Sequence, residues 1–311
     1  MAKIVITEFM DDAAVAALAQ QHEAHYDQGL ADRQDDIAAL AGDAAAIIVR
    51  NRTQVNEALL DAAPGLKCVG RLGVGLDNID TDACKARNIA VFPATGANNA
   101  SVAEYVIANA MLLLRGAYQS TNAMLQGEWP RQALMGRELA GHTMGLVGFG
   151  AIAREVAVRA SVLGMDIIAH DPYVMADDPG WQIARNVSLD GLLELADVVS
   201  LHTPLNDKTR HMINAEALSR MKRDAVIINA ARGGVIDEEA LGAALAKGSL
   251  GGAALDVFET EPLTAEAGMK FSGLKNLVLT PHIAGVTVES NIRVSALTVQ
   301  NVLNHLTGSG L

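Results

Sequence analysis

Met144-Gly145-Leu146-Val147-Gly148-Phe149-Gly150-Ala151-Ile152-Ala153 is a short apolar run that meets two closely spaced glycines and then turns helical. A strand, a tight turn and a helix start in that order match G-x-G-x-x-G/A. Gly148 permits the turn, Gly150 lets a diphosphate approach the backbone, and Ala153 is small enough for helix and strand to pack closely. The N–H groups at Ala151 and Ile152, with the helix dipole behind them, favour an anion. A Gly-rich turn alone is a weak signal, and the next strand strengthens it. Asp166-Ile167-Ile168-Ala169-His170 runs into Asp171, about 20 residues past the glycines. A carboxylate there accepts hydrogen bonds from the ribose 2′- and 3′-hydroxyls and repels a 2′-phosphate. His170-Asp171-Pro172-Tyr173 offers no cation to offset that repulsion, so the expected cofactor is NAD and not NADP.

Strand and helix patterns alternate on both sides of this fingerprint. Upstream, Ile4–Ile6, Ala44–Val49, Lys67–Leu72 and Ile89–Phe92 read as strands, with helices from about Asp11 and near Gln54–Ala63. Downstream, the strands read as Met144–Val147, Asp166–Ala169, Val198–Leu201, Val226–Asn229 and Asn276–Leu279. This rhythm predicts an α/β chain of two Rossmann-like, doubly wound parallel-sheet domains with a cleft between them. Between the two series, Ser101 and Glu104 have capping-box spacing ahead of an apolar run. The spacing predicts a helix from Ser101 past Arg115 to about Gln126. Val288–Leu306 is amphipathic and is expected to return to the first domain. The expected division is residues 1–98 plus 284–311 for substrate binding and 99–283 for NAD binding.

Removing hydride from an alcohol needs a base for the hydroxyl proton and a cation to orient an acid and polarise its C2 oxygen. Histidine suits the base role, and a carboxylate on its far nitrogen would fix its tautomer. Arg232, Glu261 and His282 each follow an expected strand, at the sheet edge where open α/β folds bind ligands. Taken singly each has a structural reading, and together they form the expected catalytic set.

Read as a whole, the chain resembles the D-isomer-specific 2-hydroxyacid dehydrogenases. The resemblance rests on Arg71–Asn78, Asn98–Glu104, the Gly148 fingerprint, Asp171, Leu201–Leu205, Asn229–Gly234, Asp256–Pro262 and Pro281–Gly285. It implies that Arg232 binds the substrate carboxylate and carbonyl, and that Glu261 pairs with the catalytic His282. The Leu72-Gly73-Val74-Gly75 turn and Asn98 would hold substrate, while Val102, Thr203, Pro204, Ala230 and Asp256 would contact NAD. Formate dehydrogenases of this fold carry Gln where this chain has Glu261, which favours hydroxy acid chemistry.

Val49-Arg50-Asn51-Arg52-Thr53 resembles the R-S-R-T run of 3-phosphoglycerate dehydrogenases, with Asn51 for Ser. Trp129–Gly141 is similar to a segment of the same branch, with Leu134 where an aromatic is usual. Arg50 and Arg52 would then bind an anionic group at C3, and 3-sulfolactate and 3-phosphoglycerate are both candidates. Simple acids such as D-lactate or D-glycerate, and an NAD-sensing corepressor-like role, are the alternatives. The chain stops near residue 311, so the C-terminal regulatory domain of longer phosphoglycerate enzymes is expected to be missing.

The formal net charge is −12 over 311 residues, which disfavours nucleic acid and anionic membrane as partners. Cys68 and Cys84 have neither metal-type spacing nor the number for a disulfide framework, and no metal is expected. The longest apolar stretch, Val106–Leu114, is far short of a membrane span. A cytoplasmic homodimer is the expectation, the dimer following from the family resemblance.

Overall fold

The computed structural model of the chain describes residues 1–116, 118 and 120–308. Two compact units emerge, Met1–Asn98 with Val286–Leu311, and Asn99–Gly285.

The first unit runs β1 (Lys3–Ile6), α1 (Asp12–Ala19), β2 (Glu23–Tyr26), α2 (Gln34–Ala41), β3 (Ala44–Val49), α3 (Glu57–Ala62), β4 (Cys68–Arg71), α4 (Thr81–Ala86) and β5 (Ala90–Pro93). Its five strands lie in the order β2-β1-β3-β4-β5, all parallel. Chain order reverses between β1 and β3, and the crevice at their carboxyl ends is where such sheets take ligands. The central strands are apolar on both faces, with Val5, Ile47, Val49 and Val69 in one core and Ile4, Ile6, Ile48 and Leu72 in the other. Strand β2 lacks an apolar run and is not legible in the sequence. It is an edge strand, with none of its four residues fully buried, so it needs no hydrophobic face.

The second unit runs α5 (Asn99–Arg115), α6 (Ser120–Leu125), β6 (Thr143–Val147), α7 (Ala151–Val162), β7 (Asp166–His170), β8 (Arg185–Asn186), α8 (Leu189–Leu195), β9 (Val198–Leu201), α9 (Ala215–Arg220), β10 (Val226–Asn229), α10 (Glu238–Ala246), β11 (Gly252–Leu255), α11 (Ala265–Gly268) and β12 (Leu277–Leu279). The sheet order is β12-β11-β10-β9-β6-β7-β8, so the reversal falls between β6 and β9. Helix α12 (Val288–Thr307) belongs to the first unit, where Val294, Val299 and Val302 join the core beside Cys68 and Leu72.

Two helix expectations change. Helix α5 begins at Asn99, so Ser101 lies inside its first turn, buried at 5 % exposure, and does not cap it. The backbone is already helical two residues before the polar pattern begins. The helix also stops at Arg115 rather than continuing to Gln126. Gly116 has φ 59°, a left-handed conformation that ends helices, and α6 is a separate short helix. Among the described residues no helix is long and apolar enough to cross a membrane. Cys68 and Cys84 are free and buried, and burial pushes the Cys68 thiol up to about 12.

Candidate functional site

In the second unit the fingerprint lies at the β6/β9 reversal. Gly148 adopts φ 91°, and a Cβ there would come within 2.6 Å of the His202 carbonyl oxygen on the neighbouring strand exit. Only glycine permits both features. Gly150 is the N-cap of α7 and contributes no side-chain cap, so the N–H groups of Ala151 and Ile152 open the helix as an anion site of the kind a diphosphate needs. Asp171 follows β7, and its Oδ2 accepts from Phe149 N–H (2.8 Å) within the Gly-rich turn. Oδ1 accepts from Tyr173 N–H (2.9 Å). A carboxylate has about four lone-pair sites, which leaves acceptors for ribose hydroxyls. Thr203 and Pro204 follow β9 and Ala230 follows β10, while Val102 is buried in the first turn of α5. This set of donors and acceptors fits a dinucleotide.

Arg232, Glu261 and His282 come from three neighbouring strand exits. Asn229 pairs with Leu255 across β10 and β11, and Leu255 with Leu279 across β11 and β12. After β10, Asn229 shapes the turn from both ends, accepting from Ala231 N–H (3.0 Å) and donating to the Arg232 carbonyl (2.9 Å). At Gly233 a Cβ would lie 1.8 Å from the Phe258 carbonyl oxygen, so the turn passes the next loop at backbone contact distance.

The Glu261 carboxylate is held at both oxygens. Oε1 accepts from Phe258 N–H (2.9 Å), and Oε2 accepts from His282 Nδ1–H (2.8 Å). Burial works to raise its pKa. The hydrogen bonds from His282 and Phe258, with the charges of His282 and Arg232, outweigh that effect and leave it below the ordinary carboxylate range. Because a carboxylate can only accept, the proton sits on Nδ1 and Nε2 carries the lone pair in the neutral ring.

His282 has φ 55°, rare for a bulky residue and costly unless the surroundings fix it. Its N–H donates to the Asp256 carbonyl (2.9 Å). The Asp256 carboxylate accepts from Ile283 N–H (2.7 Å), Ala284 N–H (2.7 Å) and the Thr280 hydroxyl (2.6 Å). Thr280 has then used its proton, so Tyr105 on α5 donates to Thr280 Oγ1 (2.7 Å). Asp256 thus braces the loop that carries His282, a role that no local motif reveals.

The first unit has its own cluster at its carboxyl edge. Val49 on β3 pairs with Arg71 on β4, so Arg50 and Leu72 leave the sheet level with each other. The Arg71 side chain ties down the turn after β4, donating to the carbonyls of Leu72 (2.7 Å) and Gly75 (2.7 Å). Gly73 N–H is used by Arg71 O. Among the described residues the N–H groups of Val74 and Gly75 make no hydrogen bond, so two successive donors are available, as in an anion-binding nest. Asn98 Oδ1 is buried with no hydrogen-bond partner among the described residues.

Arg50 and Arg52 differ in their surroundings. Arg50 donates to the Phe9 carbonyl (3.4 Å) and to Asn291 Oδ1 (2.7 Å), and lies 5.9 Å from the Phe9 ring centroid. Arg52 is ion-paired with Asp32. Sequence reading does not find Glu8, whose buried carboxylate accepts from the backbone N–H groups of Arg50 (2.8 Å), Asn51 (3.2 Å), Arg52 (3.1 Å) and Thr53 (3.0 Å). The one available signal is an acid directly after the first strand.

Comparison with known proteins agrees with this architecture. Residues 107–284 match the model of the D-isomer specific 2-hydroxyacid dehydrogenase, NAD binding domain. The chain is 56% identical over 303 residues to an (S)-sulfolactate dehydrogenase of Chromohalobacter salexigens, covering 97% of each protein. It is 36% identical to a D-3-phosphoglycerate dehydrogenase of Methanocaldococcus jannaschii, covering 99% of this chain and 58% of that one. A solved structure of a Thermus thermophilus protein superposes with a TM-score of 0.90 at 32% identity, covering 98% of this chain and 97% of the other. The chain belongs to the D-isomer specific 2-hydroxyacid dehydrogenase family and is an NAD-dependent oxidoreductase of 2-hydroxy acids.

Proposed function

We propose that the substrate is a three-carbon 2-hydroxy acid with a sulfonate at C3, 3-sulfolactate, interconverted with its 2-oxo form. Arg50 leaves β3 level with the Leu72–Gly75 turn leaving the adjacent β4. An acid ionised at both ends of three carbons has one anion for each. The N–H groups of Val74 and Gly75 take the carboxylate, and Arg50 takes the C3 anion. The Chromohalobacter relative's name and its 56% identity support the sulfonate over the phosphate.

In the second unit His282 Nε2 accepts the C2 hydroxyl proton during oxidation and returns it during reduction. Glu261 holds Nδ1–H and stabilises the imidazolium that results. Arg232 orients the carboxylate and the C2 oxygen as charge develops on it. NAD, when bound, supplies the hydride acceptor at nicotinamide C4. Asn98 Oδ1 offers an acceptor to the substrate, and Gly148, Gly150, Asp171, Thr203, Pro204, Ala230, Val102 and the start of α7 hold the dinucleotide. In our reading Met1–Asn98 with Val286–Leu311 is the substrate-binding domain.

The enzyme acts as a homodimer through the second unit, where Met111, Leu125, Trp129, Met135 and Val162 are exposed apolar side chains. Exposed apolar side chains of this kind are what an association face would bury. Two free cysteines suit a reducing compartment such as the cytoplasm.

The test is NADH formation with both enantiomers of 3-sulfolactate, 3-phosphoglycerate, D-lactate, D-glycerate and D-malate. Preference for a C3-anionic acid, lost in Arg50→Ala, is the expected result. Equal or better turnover of D-lactate by the wild type refutes the C3 assignment.

A further inference from the structure

The β1/β3 crevice of the first unit has the makings of a strong anion cradle. Four consecutive N–H donors, Arg50 to Thr53, converge on one acceptor beside the sheet's reversal point, and two of these residues carry guanidinium groups. Two carboxylates change its character.

Glu8, directly after β1, fills the cradle from below and takes all four N–H groups. It is 4 % exposed. Burial pushes its pKa up, but the four backbone hydrogen bonds outweigh burial and hold the carboxyl below its ordinary value, so it is a fixed negative charge. A ligand cannot use those donors. Asp32 then pairs with the Arg52 guanidinium. What remains is Arg50. Its partners are the neutral Phe9 carbonyl and Asn291 amide oxygen, and it makes no ion pair among the described residues. A half-buried guanidinium whose hydrogen-bond acceptors are neutral, and whose charge the nearby Glu8 carboxylate partly offsets, is a site for one negative charge and not for two.

We propose that Asp32 is a specificity-determining residue: by neutralising Arg52 it leaves Arg50 as the one guanidinium of this turn outside an ion pair among the described residues, matched to a monoanionic sulfonate and not to a dianionic phosphate monoester. This rests on Arg50 being the contact for the substrate's C3 group. A sulfonate carries one negative charge, whereas a phosphate monoester carries about −1.5 to −2 at pH 7. The second charge of the phosphate meets no counter-ion while Arg52 is engaged, and it is repelled by Glu8. Asp32 and Arg52 are both more than half exposed, so their pairing adds little to stability, and its consequence lies in the field at the crevice.

The experiment compares wild type, Asp32→Asn, Arg50→Ala and the Asp32→Asn/Arg52→Ala double variant. Each is assayed for kcat/KM with 3-sulfolactate and for 3-phosphoglycerate as substrate and as competitive inhibitor, at low and high salt. Freeing Arg52 should improve kcat/KM or Ki for the phosphate compound about 3- to 10-fold. The sulfonate should change less than about twofold, and the gain should shrink in high salt and vanish in the double variant. Equal changes for the two compounds, or none for the phosphate while Arg50→Ala abolishes C3-anion preference, overturn the role of Asp32 and leave that of Arg50 standing. If Arg50→Ala keeps the wild-type preference for sulfolactate over D-lactate, the Arg50 assignment fails first and Asp32 with it.

Discussion

Replacing Glu261 with Gln tests the catalytic pair at the level of single atoms. In the native site one oxygen accepts from Phe258 N–H at 2.9 Å and the other from His282 Nδ1–H at 2.8 Å. A glutamine has one acceptor oxygen for two donors. If that oxygen faces His282, the amide NH2 is driven against Phe258 N–H. If it faces Phe258, the NH2 donates to Nδ1, the ring proton moves to Nε2, and the base is lost. Either way one charge-assisted hydrogen bond disappears, worth about 1.5–3 kcal/mol. The Glu261 side chain is 35% exposed, which favours the lower half of that range. The expected fall in kcat/KM is therefore about 10- to 50-fold. NADH oxidation followed by absorbance measures it, with the NADH dissociation constant from fluorescence quenching as control, expected within about twofold of wild type. Turnover within twofold of wild type would falsify the claim that Glu261 acts on His282. A parallel loss of NADH binding would show instead that the loop had collapsed.

Three further outcomes follow from the geometry. Asp171→Asn keeps an acceptor for Phe149 N–H and removes the charge, so the NADP-to-NAD ratio of kcat/KM should rise about tenfold or more; an unchanged ratio refutes Asp171 as the discriminator. Gly233→Ala places a Cβ 1.8 Å from the Phe258 carbonyl oxygen, which should cost at least about 1–3 kcal/mol of stability and displace Arg232. A melting temperature and kcat equal to wild type would mean that the turn yields freely. Glu8, with its folded pKa below the ordinary value of 4.5, contributes stability that is fully present above about 4.5 and lost as pH falls through the lower folded value. The stability gap between wild type and Glu8→Gln, read from denaturant melts, should therefore be widest near neutral pH and narrow in acid; a gap that is constant with pH contradicts it.

Local order was legible wherever a residue's neighbours in sequence are also its neighbours in space. The turn after β6, the position of Asp171 after β7 and the strands Val198–Leu201 and Val226–Asn229 follow from apolar runs and glycine spacing, because dihedral preference and burial act over a few residues. Arg232, Glu261 and His282 could be placed at strand ends by the same logic. The edge strand β2 and the break at Gly116 were not legible, since an edge strand needs no apolar face and one glycine in an apolar helix carries no fixed meaning.

Tertiary structure alone decided what faces the strand ends. Strand order set β3 against β1 and so brought Glu8 to the turn 42 to 45 residues away. It also put Asp32 on Arg52, turning two similar arginines into one that is ion-paired and one whose hydrogen-bond acceptors are neutral. In the second unit the pairing of β11 with β12 made Asp256 a brace for the left-handed His282 and joined it through Thr280 to Tyr105. A sequence fixes which charges and donors a chain carries, but their mutual distances, on which hydrogen bonds and Coulomb energies depend, arise only when the sheet assembles.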